Sequence, residues 1–124
     1  MIQYKRFVRS FGFAMTGIKY VFKHDQNLRI HFLVAFLVII ASLFFRINAF
    51  EMGILGVMIL LVISTEMINS TIEKMVNLIT TEHREDARIA KDVAAGMVLL
   101  TATGSVIVGI LIFIPHILRL LRII

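Results

Sequence analysis

The stretch FEMGILGVMILLVISTEMINSTIEKMVN, Phe50 to Asn77, decides what kind of fold this chain adopts. From Phe50 to about Ile72 it is apolar enough, over the roughly 20 residues a helix needs to cross a bilayer, to read as a membrane span. Yet its far end carries Glu66, Asn69, Ser70 and Glu73. An ionised carboxylate in hydrocarbon costs on the order of 3 kcal/mol, so some interaction on that helix face has to offset it. At about 100° per residue, Glu66, Asn69, Glu73 and Asn77 fall within roughly 80° of one another, with Ser70 beside them. Ile68, Ile72 and Met75 take the opposite side. The polar residues therefore form one stripe that faces the inside of a helix bundle, and Glu66 lies roughly 10 Å deeper than Glu73 by the helical rise.

Working outward, two more apolar runs approach spanning length: Leu28 to Phe45, and Val93 to Ile114, which stops at Pro115. The hydrophobic fraction is 59% in a chain of 124 residues. A soluble fold of this size buries only roughly 60–70% of its chain and could not hide that much apolar surface. Cysteine is absent, which excludes disulfides and thiolate metal sites. The net charge of +5 reads as basic loops beside anionic lipid rather than as a nucleic-acid surface.

The N-terminal arm has a different pattern. Tyr4, Phe7, Phe11, Met15, Ile18 and Phe22 recur at spacings of three and four, while Lys5, Arg9, Lys19 and Lys23 fall on the other side. That is an amphipathic helix with a basic face, suited to the membrane interface. The expected fold is a single all-α membrane domain over 1–124. It has a surface helix at about 4–26 and helices at about 28–45, 50–78 and 88–114 that contain the three spans.

Lys and Arg set the orientation. The arm up to Arg29 and the link that holds Lys74, Arg84, Arg88 and Lys91 are basic, whereas the link between the first two spans carries only Arg46. The positive-inside rule then places the N-terminus and the second link in the cytoplasm. Asp25, Glu73, Lys91 and Asp92 all fall at that cytoplasmic boundary. Carboxylates from different helices suit Mg²⁺, which takes hard oxygen donors and shares them with phosphates. Lys91 is a point charge suited to phosphate, and the deeper Glu66 is placed to accept a proton from a lipid hydroxyl. These are the parts of a phosphoryl transfer. Neither a P-loop nor the glycine loop of protein kinases is present. His24, His31 and His116 stand alone without metal-ligand spacing, and Glu82, Glu85 and Asp86 read as a solvated charge run.

EMINSTIEKMVNLI, Glu66 to Ile79, resembles the signature of the small prokaryotic membrane lipid kinases, Glu-x-x-Asn-(Ser/Thr)-x-Ile-Glu. AKDVAAGMVLL, Ala90 to Leu100, resembles their second signature, and the likeness extends back to KRFVRSFGFAMTGI. That family comprises the prokaryotic diacylglycerol kinases and the undecaprenol kinases. The resemblance implies a homotrimer in the bacterial cell membrane, with MgATP as phosphoryl donor and cytoplasmic active sites shared between subunits. Carried over, Glu66 is the general base on the lipid hydroxyl, and Asp25 and Glu73 hold Mg²⁺. Asn69, Lys91 and Asp92 contact the nucleotide, joined by Arg6 and the segment Glu82, His83, Arg84. The chain departs from the enterobacterial pattern at Asp25, where that branch has Glu, and at Phe13 and Ala14. His83 also stands one position early. NLRIHFLVAFLVI and AKDVAAG look more like the undecaprenol kinases, so undecaprenol is the expected substrate and diacylglycerol the alternative. A proton-coupled exporter would explain Glu66 but would leave Asp25, Glu73, Lys91 and Asp92 without a task, and a purely structural membrane subunit would use the stripe for assembly alone.

Overall fold

The computed structural model describes residues 1–122; the last two residues of the 1–124 domain lie outside the described residues. Four helices follow one another: α1 (Tyr4–His24), α2 (Gln26–Phe44), α3 (Ala49–Ile79) and α4 (Glu85–Leu120). The last three are long and apolar enough to cross a membrane, and α1 is not. The expected all-α membrane architecture, a surface helix followed by three spans, is the one observed.

The α1–α2 elbow turns on a single extended residue. Asp25 has φ −109° and ψ 112°, and its carboxylate accepts from the amides of Asn27 (2.9 Å) and Leu28 (3.3 Å). It thereby caps the N-terminus of α2, where unpaired N–H groups need acceptors. Arg29, one turn on, reaches back and donates through Nη1 to the carbonyls of Phe22 (3.1 Å) and Lys23 (2.7 Å). Those are orphan acceptors at the end of α1, so the elbow is satisfied from both sides.

The α2–α3 turn is equally specified. Ile47 N–H reaches the Ser42 carbonyl (3.2 Å), Arg46 N–H reaches that of Leu43 (3.3 Å), and Arg46 itself takes φ 51°. This is the Schellman arrangement, in which the left-handed position is usually glycine. Asn48 then caps α3 by accepting from the Glu51 amide (2.8 Å), while its own amide donates to the Glu51 carboxylate (2.5 Å).

α4 is longer at both ends than the third hydrophobic run. It begins at Glu85, with Glu85 and Asp86 in its first turn, where carboxylates favour the helix dipole. It also runs through Pro115 to Leu120. Proline removes one backbone donor, but a spanning helix can absorb that loss because neighbouring groups re-satisfy the freed carbonyl.

The most extensive helix contact is α3 with α4. Within it the Thr65 and Thr101 hydroxyls meet at 2.9 Å, an interhelical bond of the kind that joins helices in lipid. Leu28, Ala35, Leu55, Val62, Ala94 and Ile112 form the buried apolar core, with Ser42 and Glu66 buried beside them. Most other large apolar side chains are exposed. That is the surface a bilayer covers, and α1 buries none of its residues.

Candidate active site

An open cleft of about 580 Å³ lies where α1, the elbow and the C-terminal half of α3 meet. Glu66, Asn69, Ser70, Glu73 and Asn77, the whole polar stripe of α3, line it, and Asp25 and Asn27 close it from the elbow. One turn separates Glu66 from Ser70 and another separates Asn69 from Glu73, so helical geometry alone puts them on one wall.

Asp25 is held on every side. Beyond the two amides it caps, its second oxygen accepts from the Ser70 hydroxyl. Burial by itself would raise its carboxyl, but the hydrogen bonds from Ser70, from the Glu66 side chain and from the amides of Leu28 and Asn27 outweigh that and hold it below its ordinary value of 3.8. Asp25 is thus a fixed anion at neutral pH.

Glu66 sits deeper. It is 1% exposed, its Oε1 has no hydrogen-bond partner, and its Oε2 lies 3.8 Å from His31 Nε2 on α2. A buried carboxylate oxygen without a partner is uncommon in folded proteins and marks a place where a further group is accommodated.

Cations border the same cleft. Lys74 donates to the Tyr20 hydroxyl (2.8 Å) and lies 5.2 Å from the centre of that ring, which stacks on His24 at 4.1 Å. Lys91, on α4, donates to Asn77 (2.8 Å) at the cleft's outer end. Lys91 and Asp92 also line a second crevice of about 460 Å³ with His83 and Arg84. Glu82 is exposed in the link and lines neither, and Arg6 lines a separate depression formed by α1 alone. The structure therefore gathers Asp25, Glu66, Asn69 and Glu73. It brings Lys91 alongside through Asn77 and leaves Arg6 and Glu82 apart within one chain.

Among the described residues no three His, Cys, Asp or Glu side chains form a ready metal cage. Mg²⁺ is commonly held by one or two carboxylates together with substrate phosphates. Asp25 and the exposed Glu73 line the same cleft and are the hard oxygen donors there that could hold such an ion.

Ser70, Tyr20, Lys74 and His31 are members of the site that the stripe alone did not single out. Ser70 stood beside the stripe but is indistinguishable in sequence from a helix-packing hydroxyl. The other three reach the site from different faces or helices, and no local spacing signals them.

The description "Prokaryotic diacylglycerol kinase" fits residues 12–113. The chain is 37% identical over 113 residues to a diacylglycerol kinase of Synechocystis, covering 90% of this chain and 65% of that one. It is 37% identical over 110 residues to the undecaprenol kinase of Bacillus subtilis, covering 89% of each. It is 23% identical over 113 residues to the diacylglycerol kinase of Escherichia coli, covering 91% of this chain and 93% of that one. The three spans, the capped elbow and the acidic cleft thus belong to a membrane protein of the prokaryotic diacylglycerol kinase family, whose named members are lipid kinases.

Proposed function

We propose that the protein phosphorylates the hydroxyl of a membrane lipid alcohol with ATP, with undecaprenol as the substrate and undecaprenyl phosphate as the product. The observation that carries the reaction class is Glu66: a buried carboxylate with a free oxygen, on the same cleft as a fixed carboxylate. A lipid hydroxyl entering from the bilayer meets Glu66 before it meets the outer rim. Oε1 accepts the hydroxyl proton as the oxygen attacks the γ-phosphorus. The bond to the bridging oxygen breaks, ADP leaves, and the proton passes on to solvent.

Asp25 and Glu73 would hold Mg²⁺, which when bound neutralises charge on the transferring phosphates. Asn69 orients a phosphate oxygen from the cleft wall. Lys91 and Asp92, with His83, Arg84, Glu82 and Arg6, form the nucleotide side. Because Arg6 and the second crevice stand off the cleft within one chain, we assign a homotrimer in which neighbouring subunits complete each site. The basic arm and second link support a site on the cytoplasmic face of the bacterial cell membrane.

Undecaprenol is preferred over diacylglycerol because the B. subtilis undecaprenol kinase is matched over 89% of its length. The Synechocystis diacylglycerol kinase is matched at the same identity over 65% of its length. Purified protein in mixed micelles with MgATP, offered each lipid in turn, is the test. A higher kcat/KM on undecaprenol is expected. The reverse preference moves the substrate to diacylglycerol, and phosphorylation of neither lipid overturns the kinase reading.

A further inference from the structure

We infer that His31 is a positioning residue for Glu66: its Nε2, which lies beside Oε2, donates to that oxygen once substrate is seated and leaves Oε1 free for the substrate hydroxyl. This rests on the lipid-kinase reading of Glu66.

Glu66 is the fully buried charged side chain among the described residues, and its Oε1 is unpartnered. The last torsion of a glutamate is broad and roughly two-fold, so nothing intrinsic fixes which oxygen faces the cleft. A base that rotates freely presents its lone pair in the productive direction only part of the time, and catalysis is sensitive to such misplacement.

Fixing the carboxylate takes a donor from a second element. His31 supplies it from α2, two turns into the helix that Asp25 caps, with Nε2 3.8 Å from Oε2 and the side chain 22% exposed. That separation exceeds a hydrogen bond, but contacts of this kind in catalytic sites shorten once the substrate is seated. The groove that His31 also lines is apolar apart from Ser105, with Ile30, Val34, Val62 and Ile63 among its walls. An imidazole used only for packing would have no reason to point its nitrogen at the one buried carboxylate. The elbow also ties the two halves of the site together. The same α2 N-terminus that presents Asp25 to Ser70 presents His31 to Glu66, so one helix sets both carboxylates against α3.

The test compares wild type, His31→Phe and His31→Gln on undecaprenol with MgATP. Phenylalanine keeps ring volume and removes the donor; glutamine keeps an N–H at similar reach. His31→Phe is expected to lower kcat by about 10- to 100-fold, the usual effect of removing a partner that orients a reacting group. KM for ATP and for lipid should stay within about twofold, the mark of an interaction used in the transition state. His31→Gln should recover most of the loss. Wild-type kcat in His31→Phe, or a loss lying wholly in the lipid KM, overturns the inference and leaves the kinase reading intact. A wild type that phosphorylates no lipid overturns both. Oligomer size and nucleotide affinity are measured on each variant. A correctly assembled His31→Gln with turnover as low as an inactive Glu66→Gln control would also overturn it, even were His31→Phe to misfold.

Discussion

Glu66 and Asp25 lie on one cleft, and the proposed mechanism uses their negative charges in opposite ways. Glu66→Gln keeps shape and removes basicity. It should assemble and bind MgATP as wild type does, while kcat falls roughly 10²-fold or more. Turnover at the wild-type rate would remove Glu66 as the base, and failure to assemble would leave its burial explained by packing. Asp25 has an observed role, as cap for α2, and a proposed one, as a hard oxygen donor to Mg²⁺, and they can be separated. Asp25→Ala removes both and should also cost about 1 kcal/mol of stability. Asp25→Asn still caps, because asparagine accepts from the same amides, but it carries no charge. Its stability should stay near wild type, and its turnover should collapse at any magnesium concentration. The structure holds the Asp25 carboxyl below its ordinary value. Its stabilising contribution is therefore complete above the unfolded value and fades only as pH falls through the folded one, so assays near neutrality report charge loss in the variant alone. Near-normal activity in Asp25→Asn at millimolar magnesium would sink the metal assignment. At this scale the sequence was legible where residues share one helix: Glu66, Asn69, Glu73 and Asn77 line one wall as their spacing requires. It was mute where a partner comes from another helix. The Ser70–Asp25 bond joins residues far apart in the chain. His31 looked like an isolated imidazole because its partner lies on α3.

The helices themselves were the most legible level, because length and hydropathy are local properties and a bilayer selects on both. What periodicity does not contain is how the helices end. Pro115 reads as a stop, yet α4 passes through it for another turn. The continuation brings His116 against α3. Its Nε2 lies 3.3 Å from Glu51 Oε2, with the two side chains 15% and 22% exposed. Glu51 in turn is tied to Asn48, the α3 cap. Three polar residues thus clasp α3 to α4 at the end of the bundle away from the cleft. His116→Ala should lower thermal stability by about 1–2 kcal/mol, since it leaves Glu51 partly buried with one partner fewer. It should leave kcat and both KM values unchanged, because nothing at that end touches the site. Thermal unfolding in detergent alongside turnover checks both halves. An unchanged melting temperature would show that the pair contributes nothing, as many partly exposed ion pairs do.

For the whole molecule, one chain does not enclose its own site. Its cleft is open and its apolar sides are exposed. The residues assigned to the site also fall in separate places: Asp25, Glu66 and Glu73 line the cleft, Lys91 and Asp92 line the adjoining crevice, and Arg6 lies apart on α1. That division makes a subunit-mixing experiment informative. Glu66→Gln and Asp92→Ala subunits are each expected to be inactive alone. If the crevice of one chain serves the cleft of its neighbour, a mixed trimer contains a site built from an intact cleft and an intact crevice, and activity returns. Glu66→Gln mixed with Asp25→Ala is the control. Both residues line the cleft of a single chain, so every cleft in that mixture has one defect or the other, and activity should stay absent. Recovery in the first mixture and not the second would assign the cleft to one subunit and the crevice to the next. With mixing confirmed by tagged subunits, silence in both would mean that each chain works with its own residues alone. Recovery in the control would mean that Asp25 reaches across to a neighbour's Glu66, against its hydrogen bond to Ser70 in its own chain.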